Sequence, residues 1–223
     1  MAPSTAVSAK PRAAIDGAAE PLLYRALRGP ARALLQRWFD FAAEGVEHLP
    51  ARGPYIVAAN HHNYLDGVLL GAAVPEPIVF LVMPRVYRAT PLHPPFHRHI
   101  GSIPINLERP DVAALRSALG ALERGRIVGI FPEGPFSVRG RLAPGLPGVA
   151  LLALHSGAPV VPAAIRGTYQ ALVGRRFYIP RRHPLGVRFG PPRVFTSARE
   201  APAREARERV TQRIMADIAA LLS

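Results

Sequence analysis

The amino-acid sequence predicts an α/β fold, a sandwich with a mostly parallel central sheet flanked by helices. Apolar runs of strand length alternate with stretches of helix length from residue 55 to the end. The strand runs, such as Tyr55-Ile56-Val57-Ala58-Ala59, are apolar throughout, the pattern of strands covered on both faces. The chain has 223 residues, 49% of them apolar and 19% charged, which is enough for one full core.

Residues 1–20, rich in Ala and Pro and without the apolar run of a signal peptide, read as a flexible tail. Residues 21–41, PLLYRALRGPARALLQRWFDF, interleave Leu22, Leu27, Leu34, Trp38 and Phe41 with Arg25, Arg28, Arg32 and Arg37. Gly29-Pro30 is expected to break this segment into two short helices. An apolar face opposite arginines fits an element lying in a membrane interface, and equally a helix packed on the body. The domain proper is assigned to residues 42–223, beginning with a turn over Leu49–Pro54.

Tyr55–Ala59 is the first buried strand, and Val68–Val74 a short apolar helix. Ile78–Met83 is a second strand, followed by a loop rich in Pro and His over Pro84–His99. Ile103–Leu107 is a third strand, with Pro104 favouring a sheet edge. Asp111–Arg124 is an amphipathic helix with Val112, Leu115, Leu119 and Leu122 inward, Asp111 as cap and Gly125 as terminator. Strands follow at Ile127–Phe131, Val160–Ile165 and Val187–Phe189, with a helix over Val149–Ser156 closed by Gly157. Ala203–Leu222 is a final amphipathic helix, Val210, Ile214, Ile218 and Leu221 facing in.

The 28 Lys and Arg against 15 Asp and Glu give a net charge of +13. Nucleic acid, lipid headgroups and the phosphates of coenzyme A would all be drawn to such a chain. A GC-rich genome would produce the same balance with no functional meaning. The absence of cysteine excludes disulfides, thiolate metal sites and a cysteine nucleophile. No stretch approaches the ~18 apolar residues that span a bilayer, so the catalytic body is expected to face the cytosol.

Chemistry is concentrated in Asn60-His61-His62-Asn63-Tyr64-Leu65-Asp66-Gly67. His62 and Asp66 are i, i+4 neighbours on a helical face. His61 and Asp66, at i, i+5, meet only if His61 lies on the loop leaving the strand and Asp66 in the first helical turn. Either pair would let a carboxylate hold one ring nitrogen so that the other accepts a proton. Asp66 as a plain helix cap is the bland alternative.

The same residues resemble two families that move acyl groups from thioesters. His-His-x-x-x-Asp-Gly is similar to the chloramphenicol acetyltransferase and peptide-condensation superfamily, in which the second histidine is the base. Asn-His-x-x-x-x-Asp resembles the glycerolipid acyltransferases, best known from lysophosphatidate acyltransferases, in which the first is. In the former type the motif lies near the C-terminal end; here most of the domain follows it. The later blocks also resemble the glycerolipid family, in order: Gly101-Ser102-Ile103-Pro104-Ile105, Phe131-Pro132-Glu133-Gly134, and Val160-Val161-Pro162. The flanks Gly140-Arg141-Leu142 and Val187-Arg188-Phe189-Gly190 fit as well, and the resemblance covers about residues 40–195.

The resemblance implies a glycerol-3-phosphate acyltransferase-like α/β sandwich with His61 as base, Asp66 as its orienting partner and His62 as a bystander. Glu133 and the Gly134 turn would belong to the acceptor pocket. The donor would be acyl-CoA or acyl carrier protein, with no cofactor, no metal and no covalent acyl-enzyme. Two positions depart from the family pattern. Phe136 and Leu107 stand where it usually has arginines, one of them thought to hold the acceptor's phosphate. Arg109, Arg139 or Arg141 would have to substitute, each being equally readable as a surface charge. The implied enzyme esterifies a lysophospholipid or related lipid at the membrane surface, peripheral on the cytoplasmic face, and takes no nucleic acid. A glycolipid or other non-glycerolipid hydroxyl as acceptor, and a non-catalytic lipid- or nucleic-acid-binding module, are the competing readings. His93, His97 and His99 have a spacing that could ligate a metal or line a donor entrance.

Overall fold

The computed structural model describes residues 22–88, 90–108, 111–137, 139–172, 180–196 and 203–223, apart from the side chains of Leu23, Arg25 and Arg85. The expected tail, residues 1–20, and Arg109 lie outside the described residues. The strands are β1 (Ala42–Glu44), β2 (Tyr55–Ala59), β3 (Ile78–Val82), β4 (Ile103–Pro104), β5 (Ile127–Ile130), β6 (Val160–Arg166) and β7 (Gly186–Phe189). The helices are α1 (Leu22–Phe39), α2 (Leu65–Ala73), α3 (Pro84–Tyr87), α4 (His93–Ile100), α5 (Val112–Glu123), α6 (Gly148–Ser156), α7 (Thr168–Ala171) and α8 (Ala203–Leu222).

The strands form one sheet in the order β1-β7-β6-β2-β5-β3-β4. Every neighbouring pair is parallel except β6 and β7. The fold is thus the mostly parallel α/β sandwich that the sequence predicts. Side chains of β2 alternate between two cores, as a strand's period of two requires. Tyr55, Val57 and Ala59 join the layer with α1 and α2, whereas Ile56 and Ala58 join α5, α6 and α8. Strand β2 lies between β6 and β5, so the loops leaving the C-terminal ends of β2 and β5 meet at the crevice where ligands bind in open α/β sheets.

Several elements differ from expectation. Helix α1 runs unbroken through Pro30. Gly29 and Pro30 are both exposed, so water can serve the carbonyl that proline leaves without a donor. The expected loop over Pro84–His99 holds α3 and α4. The prolines of α4 fall in its first turn, where no amide partner is needed, and Gly101 ends it in a left-handed conformation. The third strand shrinks to Ile103–Pro104, at the sheet edge as Pro104 implied. Asp111 caps α5 through a bond from the Ala114 amide. In α5 Leu122 is buried and Leu115 and Leu119 pack against the core as expected, joined by Ala114, Ala118 and Ala121, while Val112 is 62% exposed. In α8 the buried residues are Ala206, Thr211, Ile214 and Ile218. No helix among the described residues is long and apolar enough to cross a membrane.

Candidate active site

The loop after β2 is held by side chains that finish the hydrogen bonding the strand leaves open. Asn60 is fully buried and serves both backbone groups of Ile165 on β6. Its Nδ2 donates to the Ile165 carbonyl at 2.9 Å, and its Oδ1 accepts from the Ile165 amide at 2.7 Å. Asn63 donates to the Thr168 carbonyl at 2.8 Å and accepts from the Leu65 amide at 3.0 Å, which fixes the start of α2. His61 therefore sits on a braced loop and Asp66 in the first turn of α2, the layout that the i, i+5 spacing demands.

The Nδ1–H of His61 donates to Asp66 Oδ2 at 2.9 Å. That bond leaves the Nε2 lone pair free to accept a proton. The same oxygen accepts the amides of His62 at 2.6 Å and Asn63 at 2.8 Å. Asp66 is fully buried, and three N–H donors on one oxygen hold it pointed at the ring. The His61 ring stacks on Phe131, centroids 3.7 Å apart and planes 6° from parallel, and meets the edge of Phe136 at 4.4 Å. Phe131 in turn stacks on Phe80, for which Gly129 makes room: a Cβ there would lie 2.6 Å from the Phe80 ring.

Glu133 leaves the end of β5 and reaches across to this loop. Its Oε1 accepts the His61 amide and its Oε2 the Ala143 amide, each at 2.7 Å. Burial pushes the Glu133 carboxyl above the usual carboxylate range, and the two backbone bonds pull the other way. Each oxygen thus holds one main-chain amide, and the side chain ties the β5 loop to His61. The Ser137 amide adds a second tie, donating to the His61 carbonyl at 2.8 Å. Gly134 turns the chain with φ of 77°, and a Cβ there would stand 2.7 Å from Leu146 Cδ1. Its amide closes the turn on the Phe131 carbonyl.

His61 lines a cavity of about 760 Å³, within the size range of small-molecule sites. The wall is mostly apolar and includes Gly134, Phe136 and Leu107. His62 does not line it. That ring lies against Thr168 Oγ1 at 3.2 Å and Tyr169, and burial lowers its pKa below the ordinary value despite the opposing pull of Asp66. Arg139 and Arg141 are exposed and lie outside the cavity wall. Of the three loop histidines, buried His97 bonds Ser102 at 3.1 Å and stacks on Tyr87. Among the described residues no group of three or more His, Asp or Glu could hold a metal ion. The roles of Asn63, Phe131 and Thr168 were not read from the sequence, since nothing in their spacing marks them.

A model of the acyltransferase family matches residues 40–166, more than half of the chain. The 1-acyl-sn-glycerol-3-phosphate acyltransferase of Bacillus subtilis (strain 168) is 29% identical over 125 residues, 54% of this chain and 60% of that protein. The chloroplastic 1-acyl-sn-glycerol-3-phosphate acyltransferase BAT2 of Brassica napus is 29% identical over 128 residues, 56% of this chain and 37% of that protein. The aligned part thus spans less than two thirds of either relative. The crystal structure of the 1-acyl-sn-glycerophosphate (LPA) acyltransferase PlsC from Thermotoga maritima is similar in fold, with a TM-score of 0.67 and 22% identity over 89% of this chain and 81% of that one.

Proposed function

The chain belongs to the acyltransferase family, and from that premise we propose that it moves a fatty acyl group from an acyl thioester to the hydroxyl of a lysophospholipid or related lipid. The observation that carries this reading is the His61–Asp66 pair, 2.9 Å apart, with the His61 ring in the wall of an apolar cavity large enough for a lipid chain. His61 Nε2 takes the proton of the acceptor hydroxyl as its oxygen attacks the thioester carbonyl. Asp66 stabilises the imidazolium that forms. The tetrahedral intermediate collapses, the C–S bond breaks, and the imidazolium returns its proton to the departing thiolate. Base catalysis of this kind is worth roughly 10²–10⁴-fold. The donor is acyl-CoA or acyl carrier protein, and no resident cofactor enters a step.

The Gly134 turn and Phe136 shape the pocket beside His61, and Glu133 keeps that turn in register with the histidine loop. Helix α1 presents Leu22, Leu27, Leu34 and Trp38 to solvent among its arginines. That face suits peripheral attachment to an anionic membrane surface, on the cytoplasmic side. The test is thiol release from long-chain acyl-CoA across a panel of lysolipids and glycolipids, read with a thiol-reactive dye. With no cysteine, the protein adds no background. Acceptor-dependent release that survives in His62→Ala and is lost in His61→Ala is the expected result. Loss in His62→Ala alone would give the base role to the other histidine.

A further inference from the structure

The cavity beside His61 is walled in part by Arg28, whose Nε no group among the described residues engages. Helix α1 lays Tyr24, Arg28 and Ala31 along its wall. The Tyr24 hydroxyl donates to the Gly71 carbonyl at 2.9 Å and so docks α1 on α2. Arg28 stands one turn further along, on the same face of α1. Gly67 and Gly71 of α2 line the same cavity, and a Cβ on Gly67 would meet nothing within 4 Å, so the space beside them is open.

Arg28 Nε is buried and has no hydrogen-bond partner, and no ion pair to Arg28 is found among the described residues. A buried donor without an acceptor is unfavourable until a ligand supplies one. The other arginine in the wall, Arg207, already donates its Nε to the Ala203 carbonyl at 3.1 Å. Asp111, also in the wall, has both oxygens engaged by the Ala114 and Asn106 amides. The aromatic and aliphatic groups nearer the Gly134 turn, Phe136 and Leu107, cannot bind an anion.

We infer that Arg28 binds the phosphate ester of a substrate held in the His61 cavity. Its planar guanidinium offers two parallel N–H bonds to phosphate oxygens, and the apolar surroundings strengthen the pairing. The inference rests on the acyl-transfer reading above. Two substrates carry such a group, the headgroup of a lysophosphatidate acceptor and the coenzyme A of the donor, and the experiment separates them.

The full chain carrying His61→Ala, which keeps the backbone bonds of the loop and prevents turnover, is titrated calorimetrically with three compounds. These are a short-chain lysophosphatidate below its micelle concentration, the matching monoacylglycerol, and coenzyme A. The series is repeated with Arg28→Gln and with Arg28→Lys added. The expected result is a loss of about 10–100-fold in Kd for one phosphorylated compound in Arg28→Gln, the worth of one charge-assisted pair. Arg28→Lys recovers part of the loss, and the monoacylglycerol does not respond. Loss for lysophosphatidate identifies the acceptor as the source, and loss for coenzyme A identifies the donor.

Equal affinities with and without Arg28, or no binding of either phosphorylated compound, would overturn the inference. So would an equal loss in Arg116→Gln, which removes one exposed positive charge from α5 and would reveal a bulk charge effect. A Tm of Arg28→Gln more than ~4 °C below wild type would mark Arg28 as structural and also count against it; an unchanged or higher Tm is expected. Thiol release by the unsubstituted chain reports on the acyl-transfer reading alone. Release without Arg28-dependent binding sinks only this inference, and Arg28-dependent binding without release sinks only that reading.

Discussion

The loop from Asn60 to Asp66 and helix α1 line the same cavity and are held in opposite ways. The loop is fastened at nearly every residue, by Asn60 to β6, by Glu133 and Ser137 to the β5 loop, and by Asp66 to three N–H groups. Helix α1 docks through Tyr24, Leu35 and Phe39, while Leu22, Leu34 and Trp38 project into solvent, 77%, 63% and 55% exposed. The difference teaches where rigidity is needed. The base role proposed for His61 needs aim within a fraction of an ångström, and a braced loop on a sheet gives that. If, as proposed, the wall admits a lipid, it needs a surface complement instead, and an amphipathic helix offers one.

The largest effect that would break this comparison comes from the loop. Asp66→Asn keeps the shape of the side chain and removes the charge that stabilises imidazolium. The kcat/KM for acyl transfer is expected to fall by about 10²–10⁴-fold, as for loss of a well-placed base. A fall of less than about fivefold would mean that the loop is not set for catalysis by its carboxylate. A smaller effect sharpens the other half. Trp38→Ser with Leu34→Ser is expected to weaken binding to vesicles of anionic phospholipid by about 10–100-fold, the worth of two apolar side chains partly buried in the bilayer. The Tm should stay within ~2 °C, because both side chains are exposed and such surface changes cost little. Unchanged vesicle binding would turn α1 into an ordinary packed helix.

Much of the loop was legible in the sequence because its constraint is local. An i, i+5 pair can meet only across a helix start, and the all-apolar run Tyr55–Ala59 fixes where the strand must stop. The strands of the central sheet were readable for the same reason. Three-residue β1, Ala42–Glu44, has no β-branched or aromatic residue and gave no signal. On α5 the leucines Leu115, Leu119 and Leu122 face the core as read, and only Val112, at the helix start, turns outward. That Glu133 braces the loop was not legible, because spacing shows that a carboxylate ends a strand, not which amides await it. Arg28 was legible as one arginine of an amphipathic helix. What that face covers depends on how α1 docks on α2, a contact between residues 47 apart.

The smallest effect is in the pH dependence of stability, and it probes how well the loop is closed. Burial lowers the His62 pKa, with Asp66 opposing and His61 adding to the shift, and burial also lowers that of His97, with His93 adding to it. In the unfolded chain both histidines take up protons near 6.5. As pH falls through that value the unfolded state gains protons that the folded state resists, so stability is full above about 6.5 and declines below it. Glu133 acts with the opposite sign. Its raised pKa means stability falls as pH climbs from its unfolded value of 4.5 toward its folded one. The Tm should therefore drop between pH 7.5 and 5.5, by roughly 2–4 °C for each kcal/mol lost. His62→Gln and His97→Gln should each flatten that slope, and the double variant most. A double variant with the wild-type slope would show both rings to be solvated. His62 would then have left its place against Thr168, and the loop would be no more closely held than α1.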